Sequence, residues 1–259
     1  GKPALQTANA ILTEHTETVN DITISPDGKT FATASWDNTV RIWDRVTGQS
    51  IAKLEPEPDG NCYAVAFSPD GTRLVSAYST GMIHIWDSRS HQEVATKKTG
   101  LGPIYHVTFS PDSQYFAAAS HNNTISIWQT ADGKNVKTLK HTSKISDGQT
   151  SQVRAVTFSP NGKWLVAAGS TGTIQIWDTK FWLPWNQLRH HKRIVHALAF
   201  SPDGKYLASA SEEQTIVIWD FVEQKVKYVC RGHLDTVYDV VFSPDGERVI
   251  SASGDKSIK

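Results

Sequence analysis

The side chains of this 259-residue chain best suited to chemistry are its serines, aspartates and histidines, and their spacing decides what they can do. Ser25, Ser68, Ser110, Ser159, Ser201 and Ser243 are each followed by proline and then by Asp27, Asp70, Asp112, Asn161, Asp203 or Asp245. A serine beside an acid could be a nucleophile with its partner, but catalysis needs convergent groups. Ser-Pro-Asp-Gly is instead turn chemistry, since Pro presets φ and Asp and Gly tolerate the tight return. His190, His191 and His196 form the only local histidine cluster. Cys62 and Cys230 are too few for a disulfide scaffold or a cysteine zinc site. There is no nucleophile elbow, no phosphate-cradling glycine loop and no paired metal-ligand spacing. No catalytic residue, metal or cofactor is expected.

What recurs is a scaffold. The serine-to-serine step is about 42 residues throughout, with one longer step from Ser110 to Ser159. Ile42-Trp43, Ile85-Trp86, Ile127-Trp128, Ile176-Trp177 and Ile218-Trp219 keep step, each Trp at the same distance after its serine. Asp follows the Trp in four copies, and Gln129 replaces it in the third. Each unit reads as four short strands. Tyr63–Phe67 alternates large and small before the serine turn, and Arg73–Ala77, Thr39–Trp43 and Ser50–Leu54 typify the second, third and fourth strands. Nothing has helical period, so the chain is all-β.

Four-stranded units of about 42 residues ending in Trp-Asp resemble the WD-repeat family, whose fold is a β-propeller. The family's Gly-His dipeptide is present as Gly232-His233 and altered as Glu14-His15 and His190-His191, each at one fixed distance before the repeat serine. The resemblance implies a structural tetrad of this His, a Ser or Thr of the second strand, a turn Asp and the third-strand Trp. The first unit supplies His15, Asp37, Trp43 and either Thr33 or Ser35; the fifth has His191 and Trp219 with Glu213 in the Asp place. The sixth has His233 and Asp255, and the chain ends two places short of its Trp. Thr80, Asn122 and Thr171 fill the Asp place of the other three, whose blades should lean more on packing. One domain over residues 1–259 is expected, with units 15–57, 58–99, 100–140, 141–190, 191–232 and 233–259, the last incomplete. The family's commonest count is seven blades, so an open ring and a fourth strand from the residues ahead of His15 are expected.

The residues five before each serine are Asn20, Tyr63, Tyr105, Arg154, His196 and Tyr238. Alternation puts them on one face with Ile22, Val65, Val107, Val156, Leu198 and Val240, yet they are polar or amphipathic. At the start of the innermost strand they would ring the channel mouth, where the family commonly binds peptides. Tyr and Arg suit such a surface, and the turn residues Trp36, Tyr78, His121 and Glu212 would widen it. The expected function is a non-catalytic protein-interaction scaffold. The alternatives are the sensor region of a larger nucleotide-driven signalling protein and, more remotely, an enzyme propeller.

The longer serine step puts an extended loop at His141–Ser151, where insertions either carry specificity or serve no purpose. Cys62 and Cys230 sit at positions held elsewhere by aliphatic residues and are expected to be buried. Trp185 aligns with Ile51, Val94 and Val136 and is expected to pack, whereas Trp182 is expected to project from the lower rim. With 26 basic and 26 acidic side chains, no global field favours nucleic acid or an anionic membrane. No apolar run approaches a spanning length and no signal segment is visible. A cytoplasmic, or in a eukaryote also nuclear, protein with protein or peptide partners and no small-molecule substrate is expected.

Overall fold

The computed structural model describes residues 11–56, 60–141 and 151–259. Among them every regular element is a strand. The first sheet comprises β1 (Val19–Ile24), β2 (Thr30–Ser35), β3 (Val40–Asp44) and β4 (Ser50–Leu54), and the second β5 (Cys62–Phe67), β6 (Arg73–Tyr78), β7 (Met82–Asp87) and β8 (Glu93–Lys98). The third holds β9 (Ile104–Phe109), β10 (Tyr115–Ser120), β11 (Thr124–Gln129) and β12 (Asn135–Lys140). The fourth holds β13 (Val153–Phe158), β14 (Trp164–Gly169), β15 (Thr173–Asp178) and β16 (Leu183–Arg189). The fifth holds β17 (Val195–Phe200), β18 (Tyr206–Ser211), β19 (Ile216–Asp220) and β20 (Lys225–Cys230). The sixth has two strands, β21 (Val237–Phe242) and β22 (Val249–Ser253), with one further bridge from Ala252 to Ile258. Every sheet is an antiparallel meander in sequence order, and β1, β5, β9, β13, β17 and β21 neighbour one another in turn. This is a β-propeller of six blades, the last incomplete. No helix among the described residues is long and apolar enough to cross a membrane.

The serine turn sets the inner hairpin of each blade. In the first, Ser25 Oγ donates to Asp27 Oδ1 at 2.7 Å and accepts the Thr30 N–H at 3.0 Å, while Gly28 N–H donates to Ser25 O at 2.8 Å. Gly28 has φ +67°, a left-handed conformation that suits glycine. The third blade puts Ser113 there at φ 61°, and its hydroxyl accepts the Asp70 N–H of the second blade at 3.0 Å.

The core lies between blades. Among the described residues five apolar clusters each join two neighbours, as where Ala32, Ala34, Val40, Ile42 and Leu54 meet Cys62, Val65, Leu74, Tyr78 and Trp86. The two end blades show what such a cluster hides. Val65, Val107, Val156, Leu198 and Val240 are buried, while Ile22 at the same repeat position is 61% exposed. On the opposite end face Ile250 is exposed where Ala32, Val75, Ala117, Val166 and Ala208 are fully buried. Asp21 links the first blade to the second by accepting the Val65 N–H at 2.9 Å.

Cys62 is buried, but Cys230 is exposed, against expectation. Its counterpart Leu188 is buried in one cluster with Val217 and Trp219 of the next blade.

Candidate functional site

Each inner strand begins with an irregularity that the alternation did not reveal. Val19 pairs with Ser35 and Asp21 with Ala34, leaving Asn20 unopposed. The same shift isolates Tyr63, Tyr105, Arg154, His196 and Tyr238. A one-residue bulge re-aims its side chain and breaks the two-residue period. Thus Cys62 and Val65, three apart, share one core, and Tyr63 between them escapes it. The expected common face with Ile22 and its equivalents is therefore corrected: the bulge takes these residues out of the two-residue alternation.

The bulge residues form a ladder that crosses the blades. Trp36 meets Tyr63 edge-on at 6.3 Å between ring centres, and Tyr63 stacks on Tyr105 at 5.8 Å. The Arg154 guanidinium carbon lies 3.9 Å from the Tyr105 ring centre, and the Tyr105 hydroxyl hydrogen-bonds His121 Nδ1 at 2.9 Å. His196 and Tyr238 meet edge-on at 5.2 Å. Burial lowers the His196 pKa and the Arg154 charge lowers it further, with Glu212 opposing, which favours a neutral ring at pH 7. Asn20 donates to Tyr63 O at 2.6 Å and closes the ladder's first step at backbone level. Trp36 and Tyr238 are exposed, and Tyr63, Tyr105, Arg154 and His196 are half-buried. Stacked rings with one open face offer area at little entropic cost, since their rotamers are already held.

Tyr78 does not join this surface. It is fully buried in the core between the first two blades, edge-on to His84 at 5.2 Å with its hydroxyl against the Cys62 thiol. Tyr78 ends strand β6, opposite Cys62 in the register, and so takes the inward direction of the pleat.

Hydrogen-bonded tetrads tie the segment ahead of the inner strand to the second and third strands and the turn between them. In the first blade Trp43 Nε1 donates to Thr33 Oγ1 at 2.8 Å, His15 Nε2 lies 2.7 Å from the same oxygen and His15 Nδ1 lies 2.8 Å from Asp37 Oδ2. Thr33, not Ser35, is thus the member. Burial opposes the Asp37 charge, but hydrogen bonds from Thr39, His15 and the Thr16 N–H outweigh it and hold the carboxyl well below the usual range. The fifth blade repeats the pattern with Trp219, Ser209, His191 and Glu213 at 2.9, 2.7 and 2.5 Å. In the sixth, His233 bridges Ser251 and Asp255 at 2.8 and 2.9 Å.

The fourth blade holds a histidine that the spacing concealed. His141 lies edge-on to Trp177 at 6.2 Å, nearly as His15 lies to Trp43 at 6.1 Å, and its Nε2 reaches Thr173 O at 3.1 Å. The insertion follows His141 and separates it from Ser159 by more than the usual distance. The signal was available in the other direction. His141 follows Trp128 at the distance of His191 from Trp177 and of His233 from Trp219, to within one place. Residues 142–150 of the expected insertion loop lie outside the described residues. Ala118 and Ala167 replace the tetrad hydroxyl in the third and fourth blades, and Trp128 donates to Ser126 of its own strand at 2.8 Å. In the second, Trp86 donates to Ser76 at 2.9 Å.

Trp182 and Trp185 of the fourth blade exchange their expected places. Trp182, half-buried at φ 55°, packs edge-on to Tyr115 and Phe158 at 6.0 and 6.4 Å. Gly133 has the same place in the third blade, where a Cβ would point at Ile85 and Lys97 of the preceding blade, so this turn position aims inward. Trp185 is 51% exposed because it occupies a bulge of β16, as do the exposed Ile51, Val94 and Val136 in their own outer strands. Its ring stacks on Trp164 at 4.2 Å.

Among the described residues no group of three or more His, Cys, Asp or Glu is placed to hold a metal ion. The family described as WD domain, G-beta repeat matches residues 6–44, 48–87, 93–129, 133–178, 183–220 and 224–259. The Notchless protein homolog of Arabidopsis thaliana is 50% identical over 40 residues, 15% of this chain and 8% of that protein. ASTRA-associated protein 1 of Aspergillus niger is 50% identical over 46 residues, 18% and 10% of the two chains. The small ribosomal subunit protein RACK1 of Candida albicans is 45% identical over 40 residues, 15% and 13%. Each match thus spans about one repeat and a small part of the relative.

Proposed function

Since the chain belongs to the WD-repeat family, we propose that it acts as a non-catalytic scaffold that holds a peptide or loop of another protein across its channel mouth. The observation that carries this reading is the ladder from Trp36 through Tyr63, Tyr105 and Arg154, continued by His196 and Tyr238. Six bulges present these side chains from six rigid sheets, so the surface is preorganised while its composition is free to vary. Tyr, Trp and Arg are the residue types that dominate binding energy at interfaces. Two relatives, an ASTRA-associated protein and a ribosomal subunit protein, are by name parts of assemblies, which supports a like role here.

Affinity capture with quantitative mass spectrometry tests the reading. Tyr63→Ala, Tyr105→Ala and Tyr238→Ala together should leave the fold intact and deplete the proteins held by the wild-type chain. Retention of the same proteins at the same yield by this variant would overturn it.

A further inference from the structure

Resting on that reading, we propose that the channel mouth recognises an anionic side chain of its peptide ligand, a carboxylate or a phosphate, with Arg154 as the anchor. Three arginines have acidic partners: Arg41 has Glu14, Arg73 has Asp87 at 3.2 Å and Arg193 has Glu212 at 3.2 Å. Arg154 forms neither an ion pair nor a hydrogen bond among the described residues, and its Nε is buried without a partner. One face of the guanidinium is spent on Tyr105. Stacking consumes no N–H, so the four Nη donors stay available in the planar geometry that fits carboxylate and phosphate.

A half-buried cation without a counter-charge costs free energy in the unliganded protein, and an arriving anion recovers it. The fold does not impose that cost, because the same bulge is made with Asn20, Tyr63, Tyr105, His196 and Tyr238 in the other blades. The nearest titratable neighbours leave the charge unanswered. His196 is held toward its neutral form, Glu212 is engaged by Arg193, and the Tyr105 pKa is raised by burial despite the Arg154 charge, so its hydroxyl stays neutral. Tyr63 and Trp36 extend the stack away from Arg154 and offer aromatic faces beside it. The matching peptide therefore carries an acidic residue adjacent to an apolar or aromatic one.

The probe is a phage-displayed library of short random peptides selected on the wild-type chain. Enriched sequences are then synthesised with the acidic residue as Glu, Gln or phosphoserine. The expected result is enrichment of an acid beside an apolar residue. Glu→Gln should weaken binding to the wild-type chain at least about tenfold and binding to Arg154→Gln by less than about twofold. Arg154→Lys, which keeps the charge and loses the planar fork, should fall between. The Glu and phosphoserine arms show which anion the site prefers. Peptides that need Tyr63 and Tyr105 but show no acid preference, or that bind Arg154→Gln as well as wild type, would overturn the anionic site and leave the rim reading standing. Peptides indifferent to Tyr63 and Tyr105, or no enrichment at all, would count against both.

Discussion

Ser209→Ala isolates the worth of a tetrad. Ser209 is fully buried, and its hydroxyl meets Trp219 Nε1 at 2.9 Å and His191 Nε2 at 2.7 Å. With a neutral ring, Trp219 donates to Ser209, Ser209 to His191 Nε2, and His191 Nδ1 to Glu213. Burial lowers the His191 pKa more than Glu213 raises it, in keeping with the neutral ring this chain of bonds requires. Alanine fits here, because Ala118 and Ala167 fill the position in two other blades, so the cost is that of orphaned polar groups and not of shape. Two buried groups losing their partner cost about 2–4 kcal/mol together. For 259 residues unfolding as one unit, that is a fall in Tm of about 4–8 °C. Urea and thermal unfolding measure it. In a Trp219→Phe background, which removes the indole donor, Ser209→Ala should cost about half as much. A loss below about 0.5 kcal/mol for the single variant would refute the reasoning.

Ser251→Ala, which orphans His233 but no tryptophan among the described residues, should cost about 1–2 kcal/mol by the same unfolding assay. Ile22→Ser should cost less than about 1 kcal/mol while Val156→Ser, at the same repeat position but fully buried, should cost about 2–4 kcal/mol, as denaturant midpoints would show. Burial holds His141 down to about 4, against about 6.5 unfolded, so the unfolded state binds more protons between these values and stability falls as pH drops through that window. His106 acts in the same direction, while Asp21, pushed up to about 7 by burial, acts in the opposite one. Unfolding free energies at about pH 7 and about pH 4.5 should therefore converge in His141→Gln, and an unchanged difference would contradict the assignment.

The blade plan was legible because it rests on local chemistry repeated in register. The serine turn and the Ile-Trp strand recur at fixed distances, and any one copy predicts the others. The bulge positions stood out too, as polar side chains where the period calls for apolar ones. Their orientation did not, since a bulge adds one residue to one strand and leaves no mark in composition. Tyr78 reads as a turn residue but ends β6 facing inward, and Trp185 aligns with the aliphatic Ile51, Val94 and Val136, which bulges turn outward as well. His141 was hidden by an insertion that displaced it from its serine. Cys230 was misplaced because its burial depends on what a neighbouring blade packs against it, which its own strand does not encode.

Whether partners sit on the mouth of the channel is tested most directly by hydrogen–deuterium exchange of the chain with and without a captured partner. Protection should appear at Trp36, Tyr63, Tyr105, Arg154, His196 and Tyr238 and in the loops that lead into their strands. A footprint on the outer strand Leu183–Arg189 or on the turns around Val46 and Val222, with the bulges unprotected, would contradict it.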